Sequence, residues 1–402
     1  MSDTDGNYRF GTRLVQMGRP QSDEQSFVNP PLERGSSVLF ASVAARDAVR
    51  ERPFDQVLTY GLKGGPTHFH LEDAIAEIEG GSRCQIVSTG LAAVTTALFA
   101  FVRGGGHCLI PDSVYGPTRT FLATIGKECG ISATYYPPDM DEAGLRSLMQ
   151  DNTTVVYAES PGSHTMEIQD VPMLSRVARS ANAKLLMDNT WGLSFFKPFE
   201  HGVDCSIQAG TKYIGGHSDL LLGAITTNSD EDWQRLRSTA VTLGQYASPD
   251  DCWLALRGLR TLRVRMAEHM RAGIEVAQWL RGRPEVGEVL HPALPGAPGH
   301  ELWKRDFSGA CSLFSVALDP SYSYDDMVAL IDALKLFGIG ASWGGFESLV
   351  MPTTRTITRQ HHREHPAGPM LRLHVGLEDT RDLIADLEAG FAVLNKIRAQ
   401  RT

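Results

Sequence analysis

The segment "QAGTKYIGGHSD", residues 208–219, places a lysine directly after a pattern that is typical of a short buried strand. The residues just before it, "GVDCSIQAG", alternate apolar and polar side chains, and the paired glycines after it favour a turn. We therefore expect Lys212 at the carboxyl end of a strand. A lysine there either extends into water or supplies an amine for chemistry, and the neighbouring segments bear on that choice.

Short apolar segments alternate with helix-length segments along the middle of the chain. They are "CQIVSTG", "HCLIPDS", "ATYYPP", "TTVVYAES", "AKLLMDNT", "CSIQAG" and "LLGAITT". Strands separated in this way predict an α/β fold with a mostly parallel central sheet and helices on both faces. In such sheets the functional residues collect at the carboxyl ends of the strands.

A second set of strands and helices follows a long helical region. "SLFSVAL", "GIGASW" and "LRLHVGL" are predicted strands, and helices are predicted over residues 324–337 and 380–397. These elements indicate a smaller C-terminal α+β domain. The predicted division is an N-terminal arm over residues 1–60 that contacts a neighbouring subunit, a large α/β domain over residues 61–255, and the C-terminal domain over residues 256–402.

The composition argues against several classes of function. The net charge of -9 over 402 residues, with the signs interspersed, disfavours a nucleic-acid partner, because phosphate binding needs clustered basic residues. No apolar run approaches the roughly 20 residues that span a bilayer. The first residues, "MSDTDGNYRFGTRLVQ", lack the apolar stretch of a signal peptide, so we expect a cytoplasmic protein.

A pair of histidines near the end of the chain has the spacing of two metal ligands. His361 and His365 are one helical turn apart, but the sequence offers no evident third ligand. A polar surface segment just before Pro366 is the better interpretation. We therefore predict no metal site.

Three chemically distinctive features occur at predicted strand ends. Thr89 and Gly90 open a helix whose free N–H groups suit a phosphate, although small residues begin many helices. Asp188 ends the apolar run "LLMD", where a carboxylate either has a charged partner or caps a helix. With Lys212 they provide an anion site, a partner for a pyridinium nitrogen and an amine for a Schiff base. Pyridoxal phosphate requires this combination.

The motifs around these residues make the chain similar to a known family. They are "TYGLKGGPTHFHLEDAIAEIEGG", "VYGPTRTF", "ESPGSHTMEIQDVP", "LLMDNTWG", "SIQAGTKYIGGHSDLLLGA", "RGLRTLRVRM", "HELWKRDFSGACSLFS", "SWGGFESL" and "LRLHVGLEDTRDLIADLEAGF". The sequence resembles the Cys/Met-metabolism family of fold-type I pyridoxal-phosphate enzymes, and within it the bacterial cystathionine β-lyases. The resemblance covers most of the chain and implies the fold-type I transferase fold and pyridoxal 5'-phosphate as the cofactor.

The resemblance also implies a role for particular residues. Lys212 matches the lysine that binds the cofactor aldehyde, and Asp188 matches the acid that keeps the pyridine nitrogen protonated. Tyr115 matches an aromatic residue stacked on the cofactor ring near the leaving sulfur. The residues that match donors to the phosphate are Gly90, Leu91 and Thr211. Those that match the end of the pocket that binds the substrate carboxylate are Arg372, Ser342 and Trp343.

A further match implies an active site shared between subunits. Tyr60 matches a tyrosine that reaches the phosphate from the adjacent subunit, so the resemblance implies at least a dimer, and for the family usually a dimer of dimers. The chain departs from the family at Leu62, where most relatives have an arginine that binds the phosphate. Lys63 is the candidate to compensate for that loss.

The activity that the resemblance implies is cleavage of L-cystathionine, or of a related S-substituted cysteine, to a thiol, pyruvate and ammonia. Gly162 and Ser163 in "ESPGS", and the "HELWKRDF" block, resemble the β-lyases more than the γ-enzymes. The alternatives are a γ-lyase or γ-synthase, a cysteine-S-conjugate lyase, and a regulator that binds the cofactor without turnover.

Overall fold

The computed structural model describes residues 8–19, 25–361 and 366–400. His365, the second of the two histidines considered as metal ligands, lies outside these residues. Within them, no helix combines the length and the hydropathy that crossing a bilayer would need.

Seven strands form the central sheet. They are β1 Arg83–Val87, β2 His107–Pro111, β3 Ser132–Tyr136, β4 Thr153–Glu159, β5 Lys184–Asp188, β6 Cys205–Ala209 and β7 Gly223–Thr227. Their order across the sheet is β1-β7-β6-β5-β4-β2-β3. All neighbours pair in parallel except β7, which is antiparallel to both β1 and β6. The predicted mostly parallel sheet is confirmed, and the carboxyl ends of six strands lie along one edge.

Fourteen α-helices are present among the described residues. They are α1 Phe10–Gln16, α2 Val43–Arg50, α3 Pro66–Glu79, α4 Gly90–Phe101, α5 Gly116–Ala123, α6 Ile125–Glu128, α7 Glu142–Ser147, α8 Val171–Ser180, α9 Asp230–Thr242, α10 Pro249–Leu259, α11 Leu262–Arg281, α12 His300–Asp306, α13 Tyr324–Ala333 and α14 Thr380–Ala399.

Alternating side chains along the strands explain why helices cover both faces of the sheet. Leu185 and Met187 of β5 pack into the core that holds residues of α3 and α8, whereas Leu186 packs into the opposite core with residues of α4. Each fully buried leucine contributes on the order of 1.5–3 kcal/mol to folding. The near-continuous apolar pattern of β5 therefore requires burial on both faces.

The start of α4 is fitted closely to the end of β6. Thr89 caps the helix, because its hydroxyl accepts from the N–H of Ala92 at 3.0 Å. A Cβ added to Gly90 would lie 2.7 Å from the Cβ of Ala209. Glycine is therefore needed to bring the helix N-terminus beside the strand that leads to Lys212.

The second sheet has five strands: β8 Val286–Leu290, β9 Leu313–Leu318, β10 Gly338–Ile339, β11 Leu349–Pro352 and β12 Met370–His374, in the order β10-β11-β12-β9-β8. The pairs are antiparallel except β10 with β11. The smaller C-terminal unit that we predicted is present, and its sheet also contains β8 and β11. The predicted strand "GIGASW" shortens to two residues, because the chain after Ile339 leaves the sheet toward the cavity described below.

The predicted N-terminal arm includes regular secondary structure among its described residues. It contains helices α1 and α2, and Leu14 of α1 is buried against the main core. Arg13 pairs with Glu77 of α3 at 2.8 Å. The boundaries at residues 60 and 255 stay predictions.

Candidate active site

A cavity of about 400 Å³ opens at the carboxyl edge of the central sheet. Its lining contains many of the residues selected from the sequence: Gly90, Leu91, Tyr115, Asp188, Thr211, Lys212, Trp343 and Arg372. Asp188 belongs to the central sheet and Arg372 to the second sheet, and the others lie at helix starts or in loops. The cavity therefore lies where the two sheets meet.

The α4 N-terminus lines one part of the cavity. The N–H groups of the first helical residues, Gly90 and Leu91, have no partner within the helix by its geometry. Thr211 lies beside them, and its hydroxyl bonds the backbone of Leu222, accepting from N at 3.0 Å and donating to O at 3.2 Å. The hydroxyl is thereby held in place at a site suited to phosphate.

Asp188 ends β5 and is held by a neighbouring threonine. Thr190 donates to Asp188 Oδ1 through its hydroxyl at 2.6 Å and through its N–H at 3.0 Å. Burial raises the pKa of Asp188, and the threonine bonds and the charge of Lys212 oppose that rise. Of the residues that the structure describes, none donates to Oδ2, so this oxygen is available to a protonated ring nitrogen.

Lys212 lies in the turn after β6, as the sequence predicted. Its Nζ donates to Ser342 Oγ at 2.8 Å and lies 5.4 Å from the centre of the Trp343 ring. Burial and then the charge of Arg372 lower the pKa of Lys212 to about 8, while Asp188 opposes the change. A substantial fraction of the amine is therefore neutral near pH 8, which is the form that attacks an aldehyde.

Arg372 lies in the middle of β12 and reaches the cavity from the C-terminal sheet. Its Nη2 donates to the carbonyl oxygens of Ala341 at 2.6 Å and Ser342 at 3.3 Å. Burial lowers the pKa of Arg372 to about 10, so the guanidinium remains charged at neutral pH. This arrangement suits a carboxylate clamp.

Tyr115 lies at the mouth of the cavity with its ring partly exposed. Burial raises the pKa of its hydroxyl, with further contributions from Asp188 and Glu159. Its N–H donates to Glu159 Oε2 at 2.7 Å. The phenol therefore keeps its proton at neutral pH and can act as a donor.

Two residues of this cavity were missed by the sequence reasoning. Glu159 ends β4 directly beside Asp188, and burial together with that neighbouring charge raises its pKa well above its ordinary value. In "TTVVYAES", as in "LLMD", a carboxylate comes at the end of an apolar run, so the sequence could have indicated Glu159 as it did Asp188. His164 has a positive φ of 67°, and burial, Arg372 and Arg359 lower its pKa to about 4. An irregular loop has no periodic pattern that would have indicated it.

Tyr60, Leu62 and Lys63 do not join the cavity of their own chain. Tyr60 is 55% exposed and precedes a short 3₁₀ helix, Gly61–Lys63. The N–H of Gly61 donates to Ser36 O at 2.7 Å. The segment is therefore held at the surface, where another subunit could receive it, and its predicted role stays a prediction.

Comparison with known proteins identifies the family. The family model "Cys/Met metabolism PLP-dependent enzyme" matches residues 11–392. The chain belongs to this family. Its cofactor is pyridoxal 5'-phosphate, and the cavity fits that group. It has a helix N-terminus opened by glycine for the phosphate, a carboxylate oxygen of Asp188 to which no described residue donates, and the partly buried amine of Lys212.

Individual relatives span nearly the whole chain. A putative cystathionine beta-lyase of Rhizobium johnstonii is 44% identical over 99% of this chain and 100% of its own. Cystathionine beta-lyase MetC of Escherichia coli is 40% identical over 96% and 98%, and an L-alanine/L-glutamate racemase of Wolbachia pipientis is 39% identical over 95% and 96%. The structure of metB from Corynebacterium glutamicum superposes with a TM-score of 0.88 at 28% identity, covering 98% of this chain and 99% of that one.

The lowered pKa of Lys212 predicts how covalent capture of the cofactor depends on pH. Because the neutral amine is the nucleophile, the capture rate of cofactor-free protein should rise with pH and level off above a midpoint near 8. Arg372→Met should move the midpoint upward, since the arginine charge lowers the pKa of Lys212. Stopped-flow absorbance measures the rate. A midpoint near the ordinary lysine value of about 10.4 would contradict the assigned environment.

Proposed function

We propose that this protein is a pyridoxal-phosphate-dependent carbon–sulfur β-lyase that cleaves L-cystathionine to homocysteine, pyruvate and ammonia. The observation that carries the proposal is the single cavity in which Lys212, Asp188, Tyr115 and Arg372 converge. Relatives named as cystathionine beta-lyases match the chain from end to end, and their identities of 40–44% support this substrate.

Substrate binding begins with the carboxylate clamp. Arg372 binds the substrate α-carboxylate through its charged guanidinium, with Ser342 and Trp343 at the same end of the cavity. Gly90, Leu91 and Thr211 would hold the cofactor phosphate, and Tyr115 would pack against the cofactor ring. Asp188 would keep a proton on the ring nitrogen, and the attraction between the carboxylate and the protonated nitrogen would be strong because the site is enclosed.

Proton transfer then depends on two residues. The cofactor supplies an electron sink for the charge that develops when Cα loses its proton. Lys212 takes the Cα proton as a general base, for which a pKa of about 8 is well matched to neutral solution. The bond from Cβ to sulfur breaks, and Tyr115 or Lys212 protonates the departing thiolate. Water hydrolyses the released three-carbon enamine to pyruvate and ammonia.

Racemisation is a second candidate activity, because a relative of almost equal identity is named as an amino-acid racemase. Both reactions begin with removal of the Cα proton. They differ when the substrate has no leaving group on Cβ, since the proton must then return to Cα. L-Alanine therefore distinguishes the two candidate activities, because, unlike cystathionine, it has no leaving group on Cβ and can only be racemised.

A product assay tests the proposed reaction. Purified holoenzyme with L-cystathionine should give equal amounts of pyruvate and homocysteine, whereas γ-elimination would give cysteine and 2-oxobutanoate. Lys212→Ala should lower the turnover rate by at least about a thousandfold, since it deletes both the general base and the amine that binds the cofactor. Chromatography with mass spectrometry identifies which keto acid and which thiol are formed. Fast conversion of L-alanine to D-alanine without pyruvate from cystathionine would support the racemase instead.

We also propose a homo-oligomer with shared active sites, in which Tyr60 and Lys63 reach the cofactor phosphate of the adjacent subunit. The N-terminal region supports this, because it exposes several large apolar side chains, among them Phe27 at 91%, Leu39 at 96% and Val43 at 72%. Arg237 also donates to the carbonyl of Lys63 and so braces the segment. Assembly as a dimer of dimers is the form we expect, and a cytoplasmic location stays a prediction.

Mixing two inactive variants tests the shared site. When Tyr60→Ala and Lys212→Ala proteins are denatured and refolded together in equal amounts, they should form hybrids with one intact site. If dimers assort at random, turnover should recover to about a quarter of the wild-type value. Each variant refolded alone is the control. Recovery no greater than the sum of the two separate variants would contradict a site shared through Tyr60.

A further inference from the structure

His374 ends β12, two residues after Arg372, and is 1% exposed. The N–H of Gly344 donates to its Nε2 at 3.1 Å. A backbone N–H can only donate, so the bond from Gly344 requires this ring nitrogen to be unprotonated. The carbonyl oxygen of Gly345 lies 3.2 Å from the same nitrogen and is not hydrogen bonded to it in that tautomer.

The other ring nitrogen is fixed by a buried serine. Nδ1 of His374 lies 3.2 Å from Ser312 Oγ and carries the proton that it donates. Ser312 Oγ donates its own proton to Val375 O at 2.5 Å, which orients the hydroxyl. Burial lowers the pKa of His374 to about 3, with contributions from His269 and Arg372, so the ring is neutral. It therefore donates toward Ser312 and accepts toward Gly344.

Gly344 links His374 to the lysine of the site. It has a φ of +88°, and an added Cβ would lie 2.9 Å from Tyr213 N and 3.0 Å from Lys212 Cα. The residues just before it in the same loop touch the functional groups: Ser342 Oγ accepts from Lys212 Nζ at 2.8 Å, and Ala341 O accepts from Arg372 at 2.6 Å. A shift of Gly344 would therefore disturb both the lysine and the arginine.

We propose that His374 is a positioning residue for the substrate α-carboxylate. By accepting the N–H of Gly344 it fixes the loop of residues 341–345, and through that loop it aligns Arg372 with Lys212. The inference rests on the proposed function, because it takes Arg372 as the carboxylate clamp. His374 is not part of the cavity lining among the described residues and acts through Gly344.

His374→Phe tests the role of the acceptor, because phenylalanine keeps a planar ring and leaves the Gly344 N–H without its partner. We expect KM for L-cystathionine to rise about tenfold, as an unsatisfied buried donor implies, while kcat changes by less than about threefold. Glycine carries the α-carboxylate but no leaving group. Its Kd, read from the absorbance of the bound cofactor, should rise by the same factor.

Two further variants separate positioning from a general loss of packing. His374→Gln supplies an amide oxygen that can accept from Gly344 and should restore most of the glycine affinity. His291→Phe replaces another buried histidine, whose Nδ1 accepts from Ala293 N at 3.2 Å, and should leave KM and the glycine Kd unchanged even where it lowers Tm. If His374→Phe does not fold, Ser312→Ala removes the acceptor of the Nδ1 proton and should itself raise the glycine Kd.

The outcomes distinguish this inference from the proposed function. A glycine Kd that is unchanged in His374→Phe, or raised equally in the phenylalanine and glutamine variants, would overturn the positioning role. Where His374→Phe does not fold, an unchanged glycine Kd in Ser312→Ala would overturn it. Arg372→Lys is the reference, because it should weaken glycine binding at least as much. If Arg372→Lys leaves the glycine Kd unchanged, the carboxylate clamp fails; if it weakens binding and His374→Phe does not, only the inference about His374 fails.

Discussion

The enclosure of Lys212 is the physical constraint on which the rest of the site depends. A lysine in water is almost wholly protonated at neutral pH and is a poor nucleophile. Here burial and the nearby Arg372 lower its pKa to about 8, while Asp188 limits the shift. The same three charged groups lie in one cavity and have separate tasks in the proposed reaction. Their placement requires both sheets, since Asp188 ends one central strand, Lys212 follows another, and Arg372 lies in the second sheet.

Much of this arrangement could be predicted because its signals are local. Apolar runs located all seven central strands, and abrupt changes from apolar to charged residues located Asp188 and Lys212 at strand ends. The strands β8 and β11 could not be predicted in this way. Glu288 interrupts the apolar pattern of β8, and Leu349–Pro352 is too short and ends in proline; both form by pairing with neighbours already in the sheet.

The supporting residues were harder to predict for a different reason. Glu159 and His374 bond segments that are distant in the sequence, since Tyr115 donates to Glu159 and Gly344 donates to His374. His164 is likewise affected by the charges of Arg372 and Arg359, which lie far along the chain. No spacing rule encodes such a contact. Leu62 presents the opposite case, because its difference from the family was visible in the sequence, yet its consequence depends on the assembly with a neighbouring subunit that we propose. The residues that carry the chemistry are recognisable from the local sequence, whereas their alignment depends on contacts between distant segments.

The covalent attachment point of the cofactor tests the central claim most directly. Borohydride reduction of the holoenzyme, followed by proteolysis and tandem mass spectrometry, reports which lysine carries the pyridoxyl phosphate. The account predicts the modification on Lys212 in "TKYIGGHSD" and its absence from Lys63 and Lys197. A modified Lys63 or Lys197 with an unmodified Lys212 would contradict the assignment of the site.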